Sequence, residues 1–270
     1  MNLTFSDNRA RNTDGGAIDF YGKTSKTSFS NVTFFKNAAG GKGGAINNDN
    51  NVNENKYVNV DFINNTASKG GALNGYGQSN DNSFEGSSFT NNSASNDGGA
   101  IYYKGNMKSN IFENCSFADN TASTGYGGAI FSYNAFMSNN FNKSSFINNG
   151  ATLNGGALYV SGTFTDNVIG NSEFIGNTAV NNGGAVYIYS SASENLFENL
   201  TFSNNKAKNN DGGAINFRME TSKTSFNNVT FFKNSAGGRG GAVNTDHNVN
   251  DENKYVNVDF INNTASNGEL

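Results

Sequence analysis

The tripeptide Gly-Gly-Ala occurs nine times in this 270-residue chain, at intervals of 27 to 29 residues. A second motif, Phe-x-x-Asn, occurs ten times in step with it. Self-similarity at a fixed period of about 20 to 50 residues is the signature of a solenoid, in which each repeat stacks on its neighbours. The chain is therefore predicted to be a solenoid, and a residue at a repeated position is structural unless something sets it apart.

Both motifs supply the structural repeat positions of the predicted fold. The glycine pairs of the inner repeats are Gly43 and Gly44, Gly70 and Gly71, Gly98 and Gly99, Gly127 and Gly128, Gly155 and Gly156, Gly183 and Gly184, and Gly212 and Gly213. The corresponding Phe-x-x-Asn pairs are Phe34 and Asn37, Phe62 and Asn65, Phe89 and Asn92, Phe117 and Asn120, Phe146 and Asn149, Phe174 and Asn177, Phe202 and Asn205, and Phe231 and Asn234.

The apolar positions of each repeat are short and are separated by turn-forming residues. They lack the spacing of an amphipathic helix, and the abundant Asn and Gly favour turns over helices. A repeat of about 28 residues with two or three short strands fits one coil of a parallel β-helix, with coils about 4.8 Å apart. We therefore predict an all-β, right-handed parallel β-helix of about nine or ten coils, the hand being implied by the resemblance described below.

Each repeated residue type has a physical reason in such a coil. Glycine supplies positive φ or close backbone approach at a corner. Asparagine tolerates the left-handed region, and stacked Asn side chains can form amide ladders. The phenylalanines are expected to stack into a buried column, in which each side chain contributes about 1.5 to 3 kcal/mol.

The chain also contains a longer repeat. Residues 3–67 recur at 200–265 with an offset of 197 residues, which is about seven coils. We interpret residues 1–270 as one β-helix repeat domain and as a fragment of a longer array. Association of such fragments end to end is expected, because an open solenoid end presents unpaired strand edges.

Composition excludes several classes of partner. With 18 Lys and Arg residues and a net charge of -4, the chain lacks the basic footprint of a nucleic-acid-binding protein. No stretch approaches the roughly 20 apolar residues of a membrane-spanning helix. The single cysteine, Cys115, occupies a small inward position and is expected to be a buried thiol, and the single histidine, His247, lies in a variable loop.

Catalytic and metal sites have little support in the sequence. The β-helix enzymes that act on polysaccharides need acid and base groups gathered on one face, and we find no such cluster. We therefore expect no enzymatic activity and no cofactor. Calcium is the one metal considered, because Asp14, Asp97 and Asp211 each precede a Gly-Gly pair.

Gly-Gly-Ala followed by Ile, Leu or Val, paired with Phe-x-x-Asn, resembles the repeats of the chlamydial polymorphic outer membrane proteins. In its high Asn content and its tandem duplication, the sequence also resembles the adhesin-like surface proteins of methanogenic archaea. The resemblance covers the whole chain and implies a right-handed parallel β-helix, exposed outside the cell on its surface, with an adhesive role. It brings no catalytic residues with it.

Four consecutive repeats depart from the pattern at the second residue after Gly-Gly-Ala. Tyr102, Phe131, Tyr159 and Tyr187 stand there, with Tyr189 nearby, where other repeats carry Asp or Asn. Strand alternation points this position outward, so we expect an exposed aromatic ladder that binds a glycan or protein. The alternatives are that a loop covers the rings or that they only stabilise the sheet.

These observations leave three functions open. The first is a surface rod that attaches to a glycan or protein of a partner cell. The second is a passive spacer that projects another domain, and the least favoured is an enzyme of the pectate-lyase type.

Overall fold

The computed structural model describes residues 2–247 and 252–267, and every regular element in these ranges is a β-strand. Met1 and residues 248–251 and 268–270 of the predicted domain lie outside the described residues. The strands form four parallel sheets with 14, 10, nine and eight members. Each coil up to the one that ends at Thr221–Ser222 contributes to all four sheets in turn, so the predicted parallel β-helix with coils of about 28 residues is confirmed.

The largest sheet, called the Phe sheet, carries the motif phenylalanines. Its strands are Leu3–Ser6, Ser28–Phe35, Lys56–Ile63, Ser83–Glu85, Ser88–Thr90, Ile111–Glu113, Ser116–Ala118, Asn140–Asn142, Ser145–Ile147, Val168–Gly170, Glu173–Ile175, Leu196–Ser203, Ser225–Phe232 and Lys254–Ile261. The sheet that follows it in each coil, called the Ala sheet, consists of Arg9–Ala10, Ala38–Ala39, Thr66–Ala67, Ser93–Ala94, Thr121–Ala122, Gly150–Ala151, Thr178–Ala179, Lys206–Ala207, Ser235–Ala236 and Thr264–Ala265.

The remaining two sheets follow the Gly-Gly-Ala motif. The motif sheet consists of Ile18–Phe20, Ile46–Asn48, Leu73–Gly75, Ile101–Tyr103, Ile130–Ser132, Leu158–Val160, Val186–Ile188, Ile215–Phe217 and Val243–Thr245. The fourth sheet consists of Thr24–Ser25, Val52–Asn53, Ser79–Asn80, Met107–Lys108, Phe136–Met137, Phe164–Thr165, Ala192–Ser193 and Thr221–Ser222.

The interior is a set of stacked aromatic columns, as the sequence predicts. From Phe5 to Phe260 the motif phenylalanines stack ring on ring, with centroids 4.5 to 5.1 Å apart. This separation matches the spacing of hydrogen-bonded strands, so each ring stacks on its counterparts in the coils above and below. Most of these rings also meet an aromatic ring five residues earlier in the same coil, as Phe84 and Phe89 do, with centroids 6.0 Å apart. All members from Phe34 to Phe231 are buried.

The motif asparagines form a continuous buried amide ladder. In Asn65, for example, the backbone N–H and Nδ2 both donate to Oδ1 of Asn92 in the next coil, at 3.0 Å. Nδ2 also donates to the carbonyl of Phe34 in the preceding coil, at 3.0 Å. Each side chain thus connects three coils, which explains why a polar residue is repeated at a buried position.

A second amide ladder, which the sequence analysis did not identify, runs beside the fourth sheet. Its members are Asn55, Asn82, Asn110, Asn139, Asn167 and Asn195, all buried. Asn110 donates from its backbone N–H and from Nδ2 to Oδ1 of Asn139, at 3.0 and 2.9 Å. The two ladders therefore border both ends of the Phe sheet in the coils from Lys56–Ile63 to Leu196–Ser203.

The two glycines of the motif have different roles. The first has positive φ in every coil, for example 64° at Gly127. The second has no room for a side chain, because a Cβ on Gly128 would lie 2.1 Å from the carbonyl oxygen of Gly156. Both predicted reasons for glycine are therefore present. The first glycine has the left-handed backbone conformation, and the second allows the close approach of the next coil.

Candidate functional site

The four aromatic residues singled out by the sequence form one column on the outer side of the motif sheet. Tyr102, Phe131, Tyr159 and Tyr187 pair in register from coil to coil. Their rings stack with centroids 5.0, 5.1 and 5.3 Å apart. The predicted aromatic ladder is therefore present.

The predicted exposure of this ladder is wrong. The four residues are only 3 to 6% exposed and form a small apolar cluster of their own, separate from the main core. The corner that precedes the motif folds over them, so that a Cβ on Gly183 would lie 2.9 Å from the Cβ of Tyr187. The Tyr126 ring adds cover, with its centroid 4.6 Å from that of Tyr159. A loop thus covers the rings, as one of the alternatives stated.

The environment of the ladder keeps its phenols neutral. Burial raises the pKa of Tyr159 and raises that of Tyr187 to about 12. Burial also raises the pKa of Tyr102, against the opposing effect of Lys69, whose Nζ lies 4.7 Å from the ring centroid. These rings therefore act as packing groups and not as acids or bases at neutral pH.

Polar residues occupy the same position on both sides of the aromatic column. Nδ2 of Asn74 donates to Oδ1 of Asn47, and Nδ2 of Asn47 donates to Oδ1 of Asp19. Within the described residues, the buried Oδ1 atoms of Asn74 and Asn216, directly flanking the column, have no hydrogen-bond partner. Aromatic stacking has replaced an amide ladder over four coils, at the cost of one unpaired acceptor at each end.

A second aromatic row stands two residues further along, and this one faces solvent. In four alternate coils, the fourth residue after the motif alanine is a tyrosine. These residues are Tyr21, Tyr76, Tyr133 and Tyr189, and they are 84, 45, 51 and 48% exposed, respectively. We call them the outer tyrosine row. Only Tyr189 of this row was predicted to contribute to a binding surface. The sequence signal for the whole row is a tyrosine at this position in alternate repeats.

Backbone hydrogen bonds fix the register of the outer tyrosine row. The N–H groups of Tyr76, Tyr133 and Tyr189 donate to carbonyls of the preceding coils, each at 2.9 Å. The residues at the same position in the intervening coils, Lys104 and Ser161, donate to carbonyls in the same way, each at 2.8 Å. The tyrosines are therefore separated by two coil spacings, about 9.6 Å.

The polar residues between the tyrosines differ from gap to gap. Asp49 lies in a shallow groove bounded by Tyr21 and Tyr76. In the next gap Lys104 lies with Nζ 4.0 Å from the Tyr76 ring centroid and bonds to its hydroxyl, which lowers the pKa of Tyr76. In the third gap, between Tyr133 and Tyr189, the residue at the row position of the intervening coil is Ser161, which has a small side chain.

The three aspartates considered as calcium ligands cap corners of the next coil. Oδ1 of Asp14 accepts the backbone N–H of Lys42, and Oδ1 of Asp211 accepts that of Arg239, each at 2.6 Å. Asp97 accepts the N–H of Tyr126 and pairs with Lys69 at 2.9 Å. Across residues 2–247 and 252–267, no three His, Cys, Asp or Glu side chains are grouped so as to hold a metal.

Cysteine and histidine each occur once in the sequence. Cys115 is buried as predicted, and burial raises the pKa of its thiol to about 12. His247 is exposed.

The described part of the chain contains no helix long and apolar enough to cross a membrane. No curated protein and no solved structure matches the chain.

A family model does match, in eight copies that follow the coils. The Chlamydia polymorphic membrane protein repeat is found at residues 2–20, 31–49, 86–104, 114–133, 143–161, 171–189, 199–218 and 228–246. These segments cover more than half of the sequence, and each contains one Phe-x-x-Asn and one Gly-Gly-Ala motif in the phase that the structure explains. Proteins of this family are structural, adhesin-type proteins associated with the outer membrane and the cell surface. The chain belongs to the Chlamydia polymorphic membrane protein repeat family.

Proposed function

We propose that this chain is part of an extracellular surface rod that attaches its cell to a glycan or protein of a partner cell. The family supports a surface location and an adhesin-type role. The β-helix supports the mechanical part of the proposal, because each coil bonds to its neighbours through four sheets and two amide ladders. Repetition of such a unit lengthens a rod without changing its cross-section.

The observation that carries the attachment role is the outer tyrosine row. A passive spacer has no need for regularly placed, half-exposed aromatic rings along one edge. Tyrosine presents a large apolar face and a hydroxyl at a small entropic cost, which is why it is enriched in recognition surfaces. Here backbone hydrogen bonds hold Tyr76, Tyr133 and Tyr189 in register, so the spacing of their main-chain positions is set before any partner arrives.

Binding to cells tests this function directly. The fluorescently labelled chain is added to candidate partner cells, with and without enzymatic removal of surface glycans and proteins. Saturable binding that is lost after one of these treatments is the expected result. A chain that remains folded by circular dichroism but binds no cells would leave the spacer as the better description.

End-to-end association of this 270-residue chain is a separate proposal. In the last described coil, the rings of Tyr255 and Phe260 are half-exposed, although their counterparts in inner coils are buried. Stacking a second chain there would cover them and continue the Phe columns. Light scattering over a range of concentrations should show a rising average mass, and a constant monomer mass would contradict the proposal.

A further inference from the structure

We propose that the segment Tyr133–Ser161–Tyr189 of the outer tyrosine row binds an extended, neutral β-1,4-linked glycan chain running along the rod. The proposal rests on the attachment function above and names its ligand class and site. The segment differs from the buried ladder for which binding was first predicted, since its two rings are 51 and 48% exposed.

The spacing of the rings is the first argument. Tyr133 and Tyr189 are two coils apart, which is about 9.6 Å. A pyranose chain joined by β-1,4 bonds advances by about one coil spacing per sugar. Successive sugars in such a chain are turned over, so every second sugar presents the same face. A tyrosine in every second coil therefore meets the same face of the chain each time, with one sugar over Ser161 between the two contacts.

The side chains around the two rings suit a neutral polyol. Ser161 places a small side chain at the row position of the gap, where a bulky residue would block a chain, and its hydroxyl hydrogen-bonds the side chain of Tyr159. Lys104 bounds the segment on one side and is bonded to Tyr76, whereas Arg218 bounds it on the other and pairs with Asp246 at 3.4 Å. Arg218 is balanced by a carboxylate, and Lys104 is held against Tyr76, outside the gap between Tyr133 and Tyr189. The position between the two rings is therefore uncharged.

The row is also narrow, and one of its rings contacts the buried aromatic column. The ring centroid of Tyr133 lies 6.4 Å from that of the buried Phe131, so it is braced from below. The row is one side chain wide, and polar residues separate its rings. A stable protein interface buries about 800 Å² on each partner around an apolar centre, which a single file of rings does not offer. A linear ligand fits this shape better than a folded partner or a second copy of the chain.

Calorimetric titration with defined oligosaccharides tests the proposal. The probes are cellohexaose and chitohexaose, which are extended β-1,4 chains, and laminarihexaose, a curved β-1,3 chain. We expect at least one β-1,4 probe to bind and laminarihexaose to bind at least about tenfold more weakly. The double variant Tyr133→Ala, Tyr189→Ala should weaken binding at least about tenfold, as expected for loss of aromatic anchors. Ser161→Arg should weaken it by blocking the gap while both rings remain.

Control variants separate recognition from folding. Ile111→Ala removes a half-exposed apolar side chain from the Phe sheet and should leave binding unchanged. Tyr133→Phe keeps the ring face and should retain most of the affinity. Circular dichroism confirms that each variant is folded. Failure of both β-1,4 probes to bind the unchanged chain, or equal binding by the double variant, would overturn the proposal.

The outcome for this site and the outcome for the attachment function can be told apart. If the unchanged chain and the double variant bind partner cells equally well, attachment stands and the tyrosine site is wrong. If instead the average mass of the unchanged chain rises with concentration and that of the double variant does not, the row is a contact between copies of the chain. The glycan assignment is then overturned.

Discussion

Replacing Asn120 by alanine should show how much of the stability lies in the buried amide ladder. Asn120 is fully buried in a middle coil. Its Oδ1 accepts from the backbone N–H and Nδ2 of Asn92, each at 3.0 Å. Its Nδ2 donates to the carbonyl of Phe89 at 2.8 Å and to Oδ1 of Asn149 at 3.0 Å. The side chain therefore takes part in four hydrogen bonds that alanine cannot make.

The expected loss follows from the groups left behind. Alanine leaves the buried N–H of Asn92 without its acceptor and removes a donor from the carbonyl of Phe89. A buried polar group without a partner costs about 1 to 3 kcal/mol, and the Asn92 N–H is such a group, whereas the carbonyl of Phe89 remains in the paired strand ladder. The expected loss is therefore about 1 to 3 kcal/mol. Nδ2 of Asn92 keeps its bond to the carbonyl of Phe62, so it adds little.

Urea unfolding followed by circular dichroism measures the global effect. A matched control is Asn96→Ala, because the exposed Asn96 side chain accepts one bond from the Thr124 hydroxyl. This variant should change the free energy of unfolding by about 0.5 kcal/mol or less. Because long repeat arrays need not unfold in one step, hydrogen exchange at the Asn92 amide supplies a local measurement.

Two results together would refute the reasoning. One is an Asn120→Ala variant as stable as Asn96→Ala. The other is an Asn92 amide that exchanges as slowly as in the unchanged chain. The ladder would then be a consequence of stacked coils and not a cause of their stability.

Three further predictions concern packing and charge. Phe146→Ala should lower the free energy of unfolding by about 3 to 5 kcal/mol, because it opens a cavity in the buried column, and urea denaturation measures this; an unchanged transition would contradict the interior role of the ring. Gly128→Ala should cost at least about 1 to 3 kcal/mol, because its Cβ would collide with the carbonyl of Gly156; a melting temperature equal to that of the unchanged chain would be inconsistent with this contact. The pKa of Asp166 is raised by loss of solvent and by its neighbour Glu194, so folding favours the protonated form. The penalty grows as pH rises from the ordinary aspartate pKa to the raised value, and it is complete above that value. Asp166→Asn should therefore raise the melting temperature at pH 7 and not at pH 3, and an equal change at both pH values would exclude the charge effect.

Repetition is the reason that so much of the fold could be predicted. A residue such as Phe146 sees the same neighbours as its counterparts in other coils, so one physical explanation of the position serves for all of them. The Gly-Gly pair, the Phe-x-x-Asn motif and the coil length follow from local rules of backbone geometry and burial. The predicted inward positions are buried in the structure for this reason.

The candidate site was predicted less well, because outward positions depend on what folds over them. Strand alternation correctly placed Tyr159 outside the interior, but it carries no information on cover from the preceding corner. That cover comes from Tyr126 of the coil below, 33 residues away in sequence. Two residues further on, no corner covers Tyr133 and Tyr189, and the exposed row lies there.

The sequence by itself thus determined the architecture, because the period of a repeat and the residue types that recur with it are local properties of the chain. Only the tertiary structure decided which outer residues meet solvent. It also revealed the second amide ladder through Asn110, since a hydrogen bond between coils joins residues about 28 positions apart. Exposure and coil-to-coil pairing are set by stacking, and stacking places side by side residues that no short sequence pattern relates.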